Sequence, residues 1–207
     1  MKKLITVMVI AAIFMACSNP KKPQDTTKVA KEQSTEGLTD KEKLIAELNR
    51  FKLAVQTKDK NEITGFFIFP VADSALTVYD MGDEFDKQKV ENGNAITKKM
   101  FIDNFNSLYS YLDFDEFSNL FRYLKINEIT TRNSLSYEHK PKNEGCYYTY
   151  HIDVKNTEVT ISYGTNTNDE YFKKHSDEAE VCSEYLSIWV FDWNGKKLVF
   201  KKQMVAG

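Results

Sequence analysis

The sequence predicts an α+β domain in which N-terminal helices pack on one face of a mainly antiparallel, four-stranded sheet. From residue 39 to residue 124, apolar side chains recur with the 3.6-residue period of helices. From residue 146 onward the period falls to about 2, and Tyr, Val, Ile, Thr, Trp and Phe, which fit a pleated surface, predominate. Helices followed by long antiparallel strands are typical of a sheet with helices on one side.

The first two helices begin at capping residues. Thr39 and Glu42 form a capping-box pattern, and Asp59 with Glu62 forms a second one. Pro70 ends the second helix, because the residue before a proline is pushed out of the α region. The apolar stripe of the first helix consists of Leu44, Leu48, Phe51 and Val55.

The middle of the chain predicts one short strand and two more helices. Residues 74–79 are apolar enough for an edge strand, and residues 82–94 are typical of an exposed loop. Thr97 begins a third helix, and Asp113 with Glu116 forms a third capping box before a fourth. The stripes of these helices are Phe101, Phe105, Leu108 and Leu112, then Phe117, Leu120, Phe121 and Leu124.

The last third predicts four strands joined by turns. The predicted strands are residues 146–154, 158–163, 182–193 and 196–205. Asn194-Gly195 suits a tight type I′ hairpin, and the polar residues 164–180 predict a mobile loop.

In this element order the chain resembles the NTF2-like superfamily, also called SnoaL-like or cystatin-like. The resemblance rests on the capped helix pair ending in Phe69-Pro70, the later helices, and the four strands that close in a hairpin at Asn194-Gly195. It covers about residues 39–207. It implies a curved sheet that forms a cone, inside which enzymes of the superfamily place Asp, His and Tyr.

The N-terminus predicts export. Lys2 and Lys3 precede 13 apolar residues, 4–16, which is the pattern of a secretory signal and too short for a spanning helix. Cys17 follows the small residue Ala16, and this resembles the lipobox of bacterial lipoproteins, in which the cysteine is acylated. An ordinary secreted protein with a chance cysteine is the alternative.

This resemblance implies a localisation and a domain organisation. Ser18 after the cysteine resembles outer-membrane sorting, so we expect a lipid-anchored protein of the bacterial cell envelope, at the outer membrane and facing the periplasm. Residues 17–38 lack the apolar surface needed to offset ordering entropy, which predicts a flexible tether. Residues 39–207 then form a single domain.

Charge and cysteine content exclude several function classes. Loss of Lys2 and Lys3 with the signal leaves 26 basic and 30 acidic residues, a formal charge near −4, so we expect no nucleic-acid partner. Cys146 and Cys182 remain in an oxidising compartment and are expected to form a disulfide, with two buried free thiols as the alternative. Two cysteines without a histidine at ligand spacing predict no metal and no cofactor.

No catalytic motif is visible, and one strand carries the candidate residues. His151 and Asp153 share a face of the strand at residues 146–154, where they would form an acid/base pair if that face were inside the cone. The other face is more apolar and is expected inside; it carries Tyr148 and Tyr150, joined by Trp189 from a later strand. These three rings either fill the cone or bind a ligand. His139 and His175 lie in polar stretches and are expected to be solvated.

Two classes of function follow. The first is a non-enzymatic lipoprotein that binds a small ligand or an envelope protein, with the membrane as partner through its lipid. The second is a small hydrolase, isomerase or dehydratase with an open NTF2-like cavity. An immunity-type inhibitor also fits the expected location. A cone filled by Tyr and Trp favours binding, and an open cone with a buried carboxylate or histidine favours catalysis.

Overall fold

The computed structural model describes residues 37–175 and 182–207. The predicted signal, Cys17 and the tether up to residue 36 lie outside these residues. The helices are α1 (Asp40–Gln56), α2 (Lys60–Thr64), α3 (Asp83–Glu91), α4 (Lys98–Asp103), α5 (Phe105–Tyr111), α6 (Phe114–Tyr123) and α7 (Asp169–Phe172), with a 3₁₀ helix at Ile126–Thr130. The strands are β1 (Val71–Ala72), β2 (Ala95–Ile96), β3 (Ser134–His139), β4 (Cys146–Lys155), β5 (Glu158–Thr167), β6 (Tyr185–Trp193) and β7 (Leu198–Ala206).

The start of α1 has the predicted capping box. Thr39 accepts a hydrogen bond from the Glu42 amide, and the Glu42 carboxylate accepts one from the Thr39 amide. At α2 only half of the box forms: Asp59 accepts from the amide of Glu62, whereas the Glu62 carboxylate pairs with Arg50 at 2.8 Å. The carboxylate of Glu62 therefore binds Arg50 instead of closing the capping box of α2.

Two predictions between residues 70 and 96 were wrong. Residues 74–79 form no strand; the short strand there is β1, which pairs with β2. One hydrogen bond joins this segment to β7: the Gln203 amide of β7 donates to the Ala75 carbonyl at 2.7 Å. The predicted loop at residues 82–94 contains α3, whose acidic first turn and basic last turn complement the helix dipole.

The predicted third helix is broken into α4 and α5 at Asn104. Its side-chain amide donates to the Met100 carbonyl at 2.9 Å, which satisfies an acceptor at the end of α4. The third capping box does not form, because Asp113 has φ 51° and ψ 39° and its side chain makes no capping hydrogen bond. The apolar stripes on both sides of these breaks are buried as predicted.

In the described part of the chain the main sheet is antiparallel, in the order β3-β4-β5-β6-β7. It has five strands rather than the predicted four. The missed strand is the edge strand β3, in which only Leu135 is buried, so its apolar alternation is weak in the sequence. The predicted loop at residues 164–180 was wrong in its first half: β5 continues to Thr167 and α7 follows.

Aromatic rings fill the space between the helices and the sheet. The Phe51 ring on α1 lies 5.4 Å from that of Phe191 on β6. Trp189 is fully buried, with its ring 5.3 Å from those of Phe114 and Phe117 on α6. The rings that pack in this layer include Phe51, Phe66, Phe114, Phe117, Phe121, Tyr163, Trp189, Phe191 and Phe200. Burying so much aromatic area contributes strongly to the stability of the domain.

Candidate ligand-binding site

The inner face of the sheet consists of successive rows of paired residues, and the three predicted ligand residues lie in different rows. Trp189 pairs with Ile161 in a row that the helices cover completely. Tyr150 is one row further along and 3% exposed, and Tyr148 is half-buried in the next row. The rows therefore pass from closed core to open surface.

The open rows form an aromatic surface that we call the tyrosine shelf. In the sheet register Tyr137 lies opposite Tyr150, and His139 lies opposite Tyr148. The C-terminal end of α6 adds Tyr123. The shelf is defined by Tyr123, Tyr137, His139, Tyr148, Tyr150 and Tyr185.

Tyr123 organises the rings of the shelf. Its ring centre is 4.7 Å from that of Tyr137, and the two planes differ by 7°. The rings of His139 and Tyr150 are also nearly parallel to it, at 5.0 Å and 5.4 Å. Ring pairs at these separations hold one another in place. The Tyr137 side chain nevertheless remains 40% exposed, so the stack presents aromatic surface to solvent.

Two carboxylates border the shelf at the start of α6. The phenol of Tyr150 donates a hydrogen bond to Glu116 at 3.3 Å, and the amide of Asn119 donates to the same carboxylate at 3.3 Å. Asp113 lies three residues before Glu116. In the described ranges neither Asp113 nor Glu116 has a lysine or arginine within salt-bridge distance.

These carboxylates change the titration of the neighbouring groups. Burial, followed by the charges of Glu116 and Asp113, raises the pKa of Tyr185 to about 12. Burial and Glu116 raise the pKa of Tyr150 in the same direction. Burial and the charge of Asp115 raise the pKa of Asp113 above its usual value. The charges of these carboxylates therefore give a negative potential at Tyr150 and Tyr185, whose phenols stay neutral at neutral pH.

The opposite face of β4 carries His151 and Asp153. Both are partly exposed, and their face is turned away from the helices. The Nε2 atom of His151 lies 3.4 Å from the hydroxyl of Ser134 on β3. The arrangement brings the two residues to the surface, where no buried substrate would reach them.

The remaining features of the described residues add no second site of comparable quality. An open depression of about 310 Å³ lies at the junction of α4 and α5, lined by Lys60, Ile102, Asp103, Asn104, Phe105, Asn106 and Ser107. Within residues 37–175 and 182–207 no group of three His, Cys, Asp or Glu side chains is placed to hold a metal ion. In the same ranges no helix is both long and apolar enough to cross a membrane.

Most residues of the shelf were not predicted from the sequence. His139, expected to be solvated, stacks on Tyr123, and Tyr137 belongs to a strand that was not predicted. The alternation of Leu135, Tyr137 and His139 was the available signal, because residues two apart in a strand share a face. Tyr123 and Glu116 reach the shelf only through the packing of α6 on the sheet.

Comparison with known proteins gives no relative: no protein-family model, no curated protein and no solved structure matches this chain.

Proposed function

We propose that this protein is a lipid-anchored lipoprotein of the bacterial envelope whose NTF2-like domain binds a small ligand on the tyrosine shelf without catalysis. The observation that carries this proposal is the shelf itself. It continues the aromatic inner face of the sheet beyond the helices, and Tyr137, 40% exposed, is its most open ring. Ligand-binding sites combine apolar and aromatic side chains with a few placed polar groups, and the shelf contains both kinds of group.

The chemistry of the shelf supports binding rather than catalysis. The phenols of Tyr150 and Tyr185 have raised pKa values, so at neutral pH they are protonated and are poor general bases. The carboxylate of Glu116 accepts hydrogen bonds from the phenol of Tyr150 and the amide of Asn119. Neither hydrogen bond makes the carboxylate a stronger base. The alternative of a small hydrolase, isomerase or dehydratase requires an open interior, and the interior is occupied by Trp189 and its neighbouring rings.

The envelope location is supported by the sequence before the domain and by the cysteines within it. The signal-like segment followed by Cys17 resembles bacterial lipoproteins. Cys146 and Cys182 form a disulfide, with their Cα atoms 5.2 Å apart. Structural disulfides persist in oxidising compartments such as the periplasm.

Binding at the shelf is tested by screening a fragment library against the protein by NMR, with matched tyrosine variants. Tyr148→Ala removes a ring of the shelf. Tyr147→Ala removes the ring of the preceding residue, which lies on the opposite face of β4 and is also half-buried. We expect fragments that shift shelf resonances to lose binding in Tyr148→Ala and to keep it in Tyr147→Ala. Fragments that bind elsewhere, or that bind equally to both variants, would contradict the proposal.

A further inference from the structure

We propose that the ligand of the tyrosine shelf is a small alkylammonium cation, held by the accessible parts of the shelf rings and by the carboxylates of Glu116 and Asp113. This inference rests on the proposed binding function and specifies its ligand class. Cations over tyrosine faces are attracted by the ring quadrupole, and carboxylates beside the rings add a direct charge attraction.

The charge of the shelf carries the first step. Two basic side chains of this region pair with other carboxylates: Lys58 pairs with Asp115 at 3.4 Å, and Lys140 pairs with Glu138 at 2.8 Å. Lys140 also lies 4.5 Å from the ring centre of Tyr147, on the outer face of β4. Within the described ranges neither Glu116 nor Asp113 forms a salt bridge, so both carboxylates can attract an added cation.

Local electrostatics point the same way. Burial is the largest cause of the raised pKa of Tyr185, and the charges of Glu116 and Asp113 add to it because they disfavour a phenolate beside them. The same negative potential favours a bound positive charge. A neutral sugar would stack on the rings equally well but would leave that potential uncompensated.

The size of the shelf favours a small molecule over a protein. Its two rows extend from β3 to β6, but Tyr150, Tyr163 and Thr165 within them are buried. The accessible area is therefore at most roughly 7 Å by 15 Å. That footprint is on the order of 100 Å², whereas a stable protein interface buries about 800 Å² on each partner. An alkylammonium ion of four to seven heavy atoms matches this area.

The test compares choline with 3,3-dimethylbutanol, a neutral molecule of the same shape with carbon in place of nitrogen. Binding to the whole mature protein is followed by NMR shifts of the shelf tyrosines. We expect choline to bind about tenfold more tightly than the neutral isostere, the range given by a partly desolvated cation–ring contact. Glu116→Gln, which removes the charge and keeps one acceptor oxygen for Tyr150 or Asn119, should remove most of that preference.

A matched control removes the same charge from a distant surface. Glu91 lies on α3, and its carboxylate is 4.0 Å from the ammonium of Lys87. Glu91→Gln should leave the preference for choline unchanged. Equal binding of choline and the isostere, or an unchanged preference in Glu116→Gln, would overturn the cation assignment.

Other outcomes separate this inference from the proposed function. If neither probe binds but neutral fragments shift the shelf tyrosines, the cation assignment fails and the binding function stands. If a lysine tripeptide binds more tightly than choline, the small-molecule assignment fails. If no compound of any charge binds the shelf, the proposed function fails as well.

Discussion

The buried carboxylate of Glu47 accepts a hydrogen bond at 3.3 Å from the backbone amide of Leu198, 151 residues further along the chain. The same carboxylate receives two hydrogen bonds from Arg50, at 2.8 Å and 2.9 Å. Arg50 also pairs with Glu62, and its guanidinium carbon lies 4.2 Å from the ring centre of Phe66. Glu47 thus joins α1 to α2 and to the first residue of β7.

Removing this carboxylate should destabilise the domain. In Glu47→Ala the buried Leu198 amide loses its acceptor, and we expect a loss of about 2 kcal/mol in the free energy of unfolding. Glu62→Ala is the matched control, because its carboxylate is half exposed and its pair with Arg50 is worth under about 0.5 kcal/mol. Urea denaturation measures both, and equal losses would refute the special role of Glu47.

The sequence was sufficient where the structure depends on local signals. The capping box at Thr39 and the stripes of α1 and α6 are encoded within a few turns, and all formed as predicted. α3 was missed because its apolar content is low and only Phe85 and Lys89 are buried. β3 was missed because an edge strand needs few buried residues.

The candidate site was harder to predict for a different reason. The Tyr123–Tyr137 stack joins a helix to an edge strand, and the approach of Glu116 to Tyr150 depends on how α6 lies on the sheet. Such contacts depend on tertiary packing rather than on residue spacing. The period-2 pattern did place Tyr148, Tyr150 and Trp189 on the inner face, but it gave no indication of which rows the helices cover.

The disulfide should make a large contribution to stability. Cys146 and Cys182 close a loop of 37 residues counting both ends, worth about 3–4 kcal/mol in the chain-entropy model. The double variant Cys146→Ser, Cys182→Ser should lose that amount in urea denaturation. Reductant should lower the stability of the parent and leave the double variant unchanged; a parent insensitive to reductant would contradict this expectation.

The proposed lipid anchor requires Cys17, so a single substitution should change the location of the protein. We expect the parent to partition with membranes and to incorporate labelled palmitate. Cys17→Ala should remove the label and release the domain to the soluble fraction, or block processing. Cys146→Ser is the control, since it removes a cysteine that we assign to the disulfide. Unchanged membrane partitioning and an unchanged N-terminal mass in Cys17→Ala would contradict the lipoprotein assignment.

Asp113 should limit stability at neutral pH. The pKa of its carboxyl is raised, so the folded state holds the proton more tightly than the unfolded chain does. Its backbone is in the left-handed region, which asparagine also tolerates, so a change to asparagine adds no backbone strain. The folded state is therefore more stable when this carboxyl is protonated, and that stability is lost as the pH rises through the pKa of the folded state. Asp113→Asn, which is neutral at every pH, should therefore be more stable than the parent at pH 7.5, by less than about 1 kcal/mol because the carboxylate is partly solvated.

Denaturation at two pH values tests this sign. The gain from Asp113→Asn should be present at pH 7.5 and should disappear near pH 3, below the ordinary carboxyl pKa of 3.8. A gain that persists at pH 3 would assign the effect to the backbone instead. If the shelf binds a cation, the same variant should also weaken choline binding, because it removes one of the two carboxylates. A more stable variant that binds less well would explain why a destabilising aspartate is kept at the edge of the site.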